Sequence, residues 1–558
     1  MIKNKINIKI SLCRDRFHTT TKMGKIFERR LKQPSPTISV GQAMLNKLRE
    51  NIDDVLIIDG HSGNRMTNKE LLEKSVKFAN FLQRYGIKIG DRISIASENR
   101  IDWLIPACAT FYIGAILAPY NPLYTEYEFQ HILNIAKPSI ILVSRRTERL
   151  ITKVISNLSW KIELIELDDE PFTTNMRTLK DILNNEQAVD FLGYKATDIG
   201  DSSRHPSAIL CSSGTTGFPK GVTWSHKNIL AFMVKIKEPE YLDIKQRDRL
   251  LILLPFFHGY ALGMLLISIY TGCITVMMPA FEPKLFLDLI QRHQLTHLPL
   301  VPPILTFLAK HPLVDKYDFR SVRELICGAA PLAKDIAAAV KTRLGVKSIR
   351  NGYGMTELAV VSNLSARDDE DSSENTTVGV SLPGFLSKVV DLETQETLET
   401  GQVGEICFQG EQLMLGYWNN SEATRQTIDH DGWLHTGDVG YFDDKGRIYV
   451  VDRIKELIKY KGYQVSPSEI ETVLLSHPAV KDAAVTGRPD ERNGEIPMAF
   501  IVRQPGATIT EQNLQDFVKK KLSPQKWLHG GVQFVDAIPK NPSGKILRRE
   551  LRVMIAKL

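Results

Sequence analysis

The chain has 558 residues, of which 43% are hydrophobic and 24% are charged, and its mean hydropathy is −0.15. These values are ordinary for a globular protein and exclude the disordered, collagen-like and fibrous classes. Because a single hydrophobic core stops growing at about 250–300 residues, the length predicts more than one domain.

The net charge of +7 is concentrated at the amino terminus. Residues 1–32 carry ten Lys or Arg and two acids, whereas the rest of the chain carries 61 basic and 62 acidic side chains. A neutral body gives no electrostatic case for nucleic-acid binding, which requires a basic surface. We interpret residues 1–34 as a basic leader without regular structure; a mitochondrial transit peptide and a second start at Met23 are the alternatives.

Helix and strand patterns alternate through the first four-fifths of the chain. Thr67 and Glu70 form a capping-box pattern and Gly86 is a stop signal, so a helix is predicted between them. Strands are predicted at 92–96, 116–118, 140–143 and 162–167, with a helix near 103–113 and an amphipathic helix between the last two strands. This alternation predicts parallel sheets with helices on both faces.

The segment 250–281 contains no Asp, Glu, Lys or Arg and is long enough to span a bilayer. Proline and glycine residues interrupt it, and His258 lies within it. We therefore predict a buried strand over 251–254, a loop that carries His258, a buried helix and a second strand over 274–278, rather than a transmembrane span.

The character of the sequence changes near residue 450. Helices are predicted at 467–475 and 511–521, and strands at 480–486 and 497–503. We place a hinge at 452–455, between an N-terminal domain (35–451) and a C-terminal domain (456–558). The predicted fold class is α/β, with a large N-terminal domain of parallel-rich sheets flanked by helices and a small, mobile α+β C-terminal domain.

The strongest local signal lies between Ser212 and Gly221, where the sequence reads SSGTTGFPKG. It follows a predicted strand over 208–211, and its glycines and hydroxyl groups can surround an anion while the lysine adds positive charge. It is not a Walker A loop, because Pro219 precedes Lys220 and a glycine follows it. The pattern predicts a phosphate-binding loop; the alternative is a glycine-rich surface turn.

This loop and six further segments resemble those of the acyl-adenylate-forming enzymes. That family includes acyl-CoA synthetases, 4-coumarate–CoA ligases, beetle luciferases and peptide-synthetase adenylation domains. The six segments follow the family's order and lie at 255–259, 328–331, 352–357, 432–438, 451–462 and 542–545. The resemblance covers about residues 40–550 and implies an enzyme that uses ATP, Mg²⁺ and CoA with a small-molecule carboxylic acid.

The resemblance also implies roles for individual residues. Thr356 and Glu357 would meet phosphate and metal, with Glu357 as the metal ligand; His258 would gate the acyl carboxylate, and Lys545 would bridge that carboxylate and the α-phosphate. The remaining residues would bind the phosphates, adenine, ribose and CoA: Ser212, Ser213, Gly214, Thr215, Thr216, Gly217, Lys220, Gly328, Ala329, Ala330, Tyr353, Gly354, Asp438, Arg453, Lys461 and Gly462.

Some of these residues have a physical rationale of their own. Tyr353 offers an aromatic face to a purine, and Glu357 is a hard oxygen ligand suited to Mg²⁺. Taken without the resemblance, however, Glu357 is an exposed helix-start acid, Asp438 a turn aspartate, and Lys545 one solvated lysine among many. His258 alone is a core histidine.

We predict an AMP-forming acyl-CoA synthetase acting on a fatty or aryl-propenoic acid, of the luciferase-like and 4-coumarate-like branch. By resemblance, the C-terminal domain swings between the two half-reactions, and none of the six cysteines has a catalytic role. The alternatives are a luciferase-type monooxygenase, a loader of carrier proteins and a nucleotide-binding pseudoenzyme. Beetle luciferases carry polar residues after the Thr-Glu pair, whereas 358–361 here is apolar.

The two ends of the sequence and its cysteines bear on localisation. Ala556, Lys557 and Leu558 form a conservative variant of the Ser-Lys-Leu address, which predicts a peroxisomal import receptor as partner and a peroxisomal location. The mitochondrion and the cytoplasm are the alternatives. Six scattered cysteines without a C-x-x-C motif exclude a disulfide framework and a thiolate zinc site, and they fit a reducing compartment.

Overall fold

The structure is a computed structural model that describes residues 17–21, 24–31, 33–170, 176–212, 219–330, 332–347, 349–365, 367, 377–461, 463–541 and 544–557. The helices are α1 (Val40–Glu50), α2 (Asn68–Tyr85), α3 (Leu104–Tyr112), α4 (Glu126–Ala136), α5 (Glu148–Ile155), α6 (Leu179–Asn185), α7 (His226–Ile236), α8 (Gly259–Thr271), α9 (Pro283–Arg292), α10 (Pro302–Lys310), α11 (Lys334–Leu344), α12 (Ser421–Thr427), α13 (Pro467–Leu475), α14 (Glu511–Lys519) and α15 (Arg548–Ile555).

The strands of the first half are β1 (Phe17–Thr21), β2 (Gly24–Glu28), β3 (Val55–Asp59), β4 (Arg65–Thr67), β5 (Arg92–Ala96), β6 (Ile116–Tyr120), β7 (Ile140–Val143), β8 (Glu163–Glu166), β9 (Arg177–Thr178), β10 (Pro206–Ser212), β11 (Lys220–Ser225), β12 (Arg249–Ile252), β13 (Ile274–Met277) and β14 (His297–Leu300). Those of the second half are β15 (Glu324–Cys327), β16 (Ile349–Tyr353), β17 (Asn363–Leu364), β18 (Val380–Ser381), β19 (Phe385–Val390), β20 (Gly404–Gly410), β21 (Gly416–Tyr417), β22 (Leu434–Phe442), β23 (Ile448–Arg453), β24 (Ile458–Tyr460), β25 (Tyr463–Val465), β26 (Val480–Asp490), β27 (Gly494–Arg503) and β28 (Val532–Phe534).

These strands form four sheets. An eight-stranded sheet has the order β21-β11-β10-β6-β5-β7-β8-β9 and is parallel from β10 to β9. A nine-stranded sheet has the order β18-β17-β16-β15-β14-β12-β13-β3-β4 and is parallel from β16 to β3. A six-stranded antiparallel sheet (β1-β2-β19-β20-β22-β23) and a five-stranded C-terminal sheet complete the fold. The α/β class with parallel-rich sheets is therefore confirmed.

Local sequence signals account for many element boundaries. In α2, the Thr67 side chain accepts a hydrogen bond from the Glu70 N–H and the Glu70 carboxylate accepts one from the Thr67 N–H, while Gly86 closes the helix at φ 99°. Strands β5 and β7 and helix α13 coincide with their predicted ranges. Strand β26 is longer than predicted, because it pairs with β27 as far as Asp490.

The interpretation of residues 1–34 as a leader without regular structure is wrong for residues 17–21 and 24–28. These form β1 and β2, which pair with each other, and β2 also pairs with β19, so the two strands extend the antiparallel sheet. Phe27 packs against Phe442 with ring centroids 4.6 Å apart, and Arg29 forms an ion pair with Glu240 at 2.7 Å. Apolar burial and pairing across the sheet thus outweigh the basic composition of this segment.

The C-terminal residues build hydrophobic cores of their own. Among the described residues, two buried apolar clusters draw their members from 458–532 and from 484–555. A separate core is the property that defines a domain. Strand β23 ends at Arg453, inside the predicted hinge, and the hinge itself stays a prediction.

The apolar segment 250–281 forms β12, the 13-residue helix α8 and β13, as predicted in outline. Within the described ranges, no helix is both long enough and apolar enough to cross a bilayer.

Candidate active site

A cavity opens at the carboxyl ends of the parallel strands β12, β15 and β16. In sheets of this kind, ligands bind in the crevice outside those ends. Its space, including the open mouth, is about 920 Å³. Most of the lining is apolar, and its polar members include His258, Tyr260, Tyr353 and Thr356. The apolar lining residues include Ile236, Leu242, Leu254, Met264, Ile326, Gly328, Ala329, Gly354, Met355, Val360, Val361 and Leu364. Such a wall suits a ligand with an apolar part.

Tyr353 and Asp438 connect this cavity to the antiparallel sheet. The Tyr353 hydroxyl donates to Asp438 Oδ2 at 2.6 Å, and Arg453 Nε lies 3.0 Å from Asp438 Oδ1. Asp438 and Arg453 face each other in register on β22 and β23. Burial, followed by the negative charge of Asp438, raises the pKa of Tyr353 well above its ordinary value. The sequence-predicted adenine, ribose and hinge residues are therefore in contact.

Glu357 lies in the short 3₁₀ turn that follows β16, with only 6% of its surface exposed. The Tyr417 hydroxyl donates to Glu357 Oε1 at 2.9 Å, and Lys220 Nζ lies 4.7 Å from the centre of the Tyr417 ring. Burial raises the pKa of Tyr417. Lys220, at the start of β11, and Glu357 are thus both in contact with Tyr417.

The carboxylate of Glu357 is a suitable ligand for Mg²⁺. Mg²⁺ prefers one or two carboxylates together with substrate phosphate oxygens. Here one buried carboxylate has one oxygen oriented by the Tyr417 hydroxyl, which leaves its other oxygen for a metal ion. Thr356, next to it, lines the cavity, and its carbonyl oxygen accepts a hydrogen bond from the Trp224 indole at 2.6 Å.

Lys545 reaches this site from the C-terminal domain. Burial, followed by the positive charge of Arg453, lowers its pKa to about 8, against the opposing effect of the negative charges of Asp438 and Glu456. The preceding Gly544 adopts φ 81°, and a methyl group added there would lie 3.3 Å from Pro303 Cγ at the start of α10. The loop is therefore seated against the N-terminal domain, and the Lys545 amine lies within electrostatic range of Asp438 and Arg453.

His258 lies at the N-terminus of α8 and lines the cavity. Burial lowers its pKa to about 4, so the imidazole is neutral at pH 7. Its ring lies 4.8 Å from that of Phe257. A neutral imidazole can rotate within an apolar cavity without placing a charge there, which is compatible with the predicted gating role of His258.

The remaining predicted residues differ in their placement. Ser212 and Lys220 face each other at the ends of β10 and β11, whereas Ser213, Gly214, Thr215, Thr216 and Gly217 lie outside the described residues, as does Gly462. Gly328 and Ala329 line the cavity, and Ala330 is half-buried. Lys461 is exposed; its amide donates to the Asn493 carbonyl, and Nζ lies 5.4 Å from the Tyr460 ring. These contacts keep Lys461 within the C-terminal domain.

A polar network on β20 and β22 was not found from the sequence. His435 pairs directly with Cys407 across the two strands. Its Nδ1 lies 2.9 Å from Glu405 Oε2 and its Nε2 lies 3.4 Å from Asp429 Oδ2. The other Glu405 oxygen accepts the Gly437 N–H at 2.9 Å. Hydrogen bonds to Cys407 and Glu405 raise the pKa of His435 to about 10.

This network adjoins Asp438 and helps to fix its position. Glu405, Cys407 and His435 are close enough together to hold a metal ion. Because both Glu405 oxygens already accept hydrogen bonds, we interpret the cluster as a charged hydrogen-bond network that holds residues 435–437 on β20. Tyr417, Trp224 and Glu405 carry no local sequence signal, since their partners are 60, 132 and 30 residues away.

Comparisons with known proteins identify the family of the chain. The family model described as "AMP-binding enzyme" matches residues 46–418, and that of the "AMP-binding enzyme C-terminal domain" matches 469–545. Luciferin 4-monooxygenase of Photuris pensylvanica is 38% identical over 506 residues, which is 90% of this chain and 92% of that protein. 4-Coumarate–CoA ligase 1 of Petroselinum crispum is 38% identical over 517 residues, 91% of this chain and 93% of that protein.

The fold has solved counterparts. The crystal structure of ATP-bound MatB from Rhodopseudomonas palustris superposes with a TM-score of 0.83 and 28% identity, over 93% of this chain and 99% of that chain.

Proposed function

Because the chain is an acid–thiol ligase of the AMP-binding enzyme family, we propose that it is an AMP-forming acyl-CoA synthetase for a fatty or aryl-propenoic acid. Its products would be an acyl-CoA thioester, AMP and pyrophosphate. The observation that carries the proposal is the seat of the Lys545 loop against Pro303 of the N-terminal domain, which brings the Lys545 amine within electrostatic range of Asp438 and Arg453.

The first half-reaction is nucleotidyl transfer. A carboxylate oxygen of the acid attacks the α-phosphorus of ATP, the bond to the β-phosphate oxygen breaks, and pyrophosphate leaves. Negative charge on the reacting oxygens is then met by the Lys545 amine, which loses little solvation because it is already half-buried. The apolar cavity orients the acid, and Asp438 accepts hydrogen bonds from the ribose.

Glu357 would hold Mg²⁺, and Tyr417 would keep that carboxylate in its orientation. The metal, when bound, neutralises phosphate charge and orients the pyrophosphate leaving group. Lys220 supplies a further positive charge to the phosphates. Magnesium use is part of the proposal, supported by the carboxylate and its tyrosine partner.

The second half-reaction transfers the acyl group. The CoA sulfur attacks the acyl carbon, the bond to the AMP oxygen breaks, and AMP leaves with that electron pair. Lys545 has no role in this step, so the loop that carries it has to leave the cleft. We propose that the C-terminal domain rotates about the predicted hinge and carries the exposed Lys461 to the site.

A luciferase-type monooxygenase is the second candidate, because luciferin 4-monooxygenases are as similar to this chain as the CoA ligases are. Both activities begin with an adenylate, and they differ in what attacks it. The wall formed by Val360 and Val361 is apolar, which supports an acyl chain rather than a polar luciferin.

The test uses the purified full chain with ATP, Mg²⁺, CoA and acids of graded chain length, together with aryl-propenoic acids. We expect AMP and pyrophosphate in equal amounts and a thioester with at least one acid class. Light from a luciferin and oxygen, without thioester formation, would favour the second candidate. Release of ADP would contradict both.

We also propose that Ala556, Lys557 and Leu558 direct the protein to peroxisomes. Ala556 and Lys557 are exposed beyond the end of α15, where a receptor can reach them. The full chain with a fluorescent protein at its N-terminus should co-localise with a peroxisomal marker, and deletion of the three residues should abolish this. Unchanged localisation after deletion would reject the proposal.

A further inference from the structure

One wall of the cavity is built from backbone in a strained conformation. After the turn Thr356–Leu358, Ala359 has φ 45° and Val360 has φ 89°. A β-branched residue at positive φ is a genuine outlier, and such conformations persist only where the surroundings enforce them. Val360 and Val361 both line the cavity.

The buried side chain of Gln412 contacts this segment at three carbonyl groups. Gln412, with 0% of its surface exposed, follows β20. Its amide nitrogen lies 3.0, 3.1 and 2.7 Å from the carbonyl oxygens of Leu358, Ala359 and Val361. Only two N–H groups serve these three acceptors, so a side chain without a donor amide would leave all three carbonyls without this partner.

The space around Val360 is closed on two other sides. A methyl group added to Gly354 would lie 2.1 Å from the Val360 carbonyl oxygen, and one added to Gly263 would lie 2.7 Å from the Val360 side chain. The Met414 N–H also donates to the Glu357 carbonyl at 2.9 Å. The connection between β20 and β21 therefore runs beside the wall and beside the acid predicted to bind metal.

We propose that Gln412 is a positioning residue that sets the acid specificity of the enzyme. It holds the peptide of Val360 in its strained conformation and so fixes the depth and shape of the apolar wall. Without the amide, the carbonyls would turn toward other donors and the Val360 side chain would move relative to Met264 and Gly328 across the cavity. This inference rests on the proposed function, because it assumes that the cavity holds the acid.

The test compares Gln412→Met, which keeps the length but removes the donors, with Gln412→Glu, which keeps the shape but presents a carboxylate to the three carbonyls. Gln409→Met is the matched control, since Gln409 lies on β20 and its amide bonds to the Asp431 carbonyl. The readout is the ratio of kcat/KM between a long and a short acid, which does not depend on the fraction of folded enzyme.

We expect the ratio to change by about tenfold in both Gln412 variants, with the KM for ATP unchanged and the control like the parent. In Gln412→Glu, the ratio should move back toward the parent as pH falls from 8 to 6, because a protonated carboxyl regains one donor. Equal losses for all acids, with the ratio within twofold of the parent, would overturn the proposal.

A second comparison keeps the proposal testable if the Gln412 variants fold poorly. Val360→Gly allows the positive φ without strain. Adding Gln412→Met to Val360→Gly should therefore change the ratio of kcat/KM between the long and the short acid less than adding it to the parent does. An undiminished effect would also contradict the proposal. Failure of the proposed function looks different, since the unmodified chain would then form no thioester from any acid.

Discussion

The Lys545 amine supplies the positive charge on which the proposed first half-reaction depends. Lys545→Ala should lower the rate of adenylate formation from acid and ATP by about 100-fold or more, because one preorganised charge at the reacting oxygens is lost. Thioester formation from added acyl-adenylate should stay near the parent rate. Pyrophosphate release and thioester formation are measured separately.

Lys540→Ala is the matched control, since Lys540 lies in the same connecting segment but is paired with Asp482 at 2.6 Å. If Lys545→Ala lowered the rates of adenylate formation and thioester formation equally, this would contradict a role for Lys545 in adenylate formation alone.

The lowered pKa of Lys545 predicts a pH limit on adenylation. Burial brings that pKa to about 8, so the amine loses its proton, and its catalytic charge, as pH rises through 8. The value of kcat/KM for ATP, which reports the free enzyme, should be level below pH 8 and should fall above it. In Lys545→Arg the fall should disappear, because a guanidinium stays charged. A profile that is the same in both enzymes would assign the limit to another group.

The hydrogen bonds of His435 to Cys407 and Glu405 predict a pH-dependent stability. They raise its folded pKa to about 10, from an ordinary value of 6.5. The stabilisation is therefore complete below pH 6.5 and is lost as pH rises through 10. Relative to the parent, His435→Gln should lose about 2 kcal/mol of unfolding free energy at pH 6, and the difference should shrink toward pH 10. Urea unfolding between these pH values measures it.

His430→Gln, which alters an exposed histidine beside the same strand, is the control and should show no such trend. A difference that is constant with pH would mean that folding does not raise the pKa of this imidazole.

At the scale of elements, the strand β2 shows where composition misleads. A chain that begins at Met23 should keep most of its stability, whereas one that begins at Pro34 should lose about 3 kcal/mol, because the latter removes the Phe27 contact with Phe442 and the Arg29 ion pair. The midpoints of thermal unfolding compare the two. Equal midpoints would show that β2 adds nothing to the stability of the sheet.

Elements with local signals were predictable, and those that depend on distant partners were not. The capping box and Gly86 fixed α2, since both act within one turn of the helix. The length of β26 depends on its pairing with β27, and β2 depends on β19, more than 350 residues away. Their sequences alone do not contain that information.

The candidate site divides in the same way. Glu357, Asp438 and Lys545 lie in motifs that the sequence displays, so the resemblance could point to them. Tyr417 and Gln412 act through contacts to residues 60 and 54 positions away and lie in no recognised motif. Only the packing of the β20–β21 connection against the turn after β16 brings them to the site.

At the scale of the whole molecule, the seat of the Lys545 loop on α10 predicts that the domain has to move between half-reactions. In the double variant Pro303→Cys, Gly544→Cys, a disulfide should hold the loop where it lies, because a Cβ atom at position 544 would face the Pro303 side chain, 3.3 Å from its Cγ atom. The oxidised protein should release pyrophosphate once and form little thioester, and reduction should restore turnover. Comparing oxidised and reduced forms of one protein removes the effect of the substitutions themselves.

The two single variants should respond little to the same oxidant. Full thioester turnover with the disulfide formed would show that CoA reaches the adenylate without domain rotation.

The pairing of Asp438 with Arg453 has a consequence for the timing of the catalytic cycle. Arg453 is the last residue of β23, and the chain passes from it directly into the predicted pivot. A nucleotide whose sugar engages Asp438 would therefore compete for the same carboxylate that anchors the start of the swinging segment. Nucleotide binding and rotation of the C-terminal domain would then be thermodynamically linked. The binding of ATP and the release of AMP would each shift the equilibrium between the two orientations of that domain.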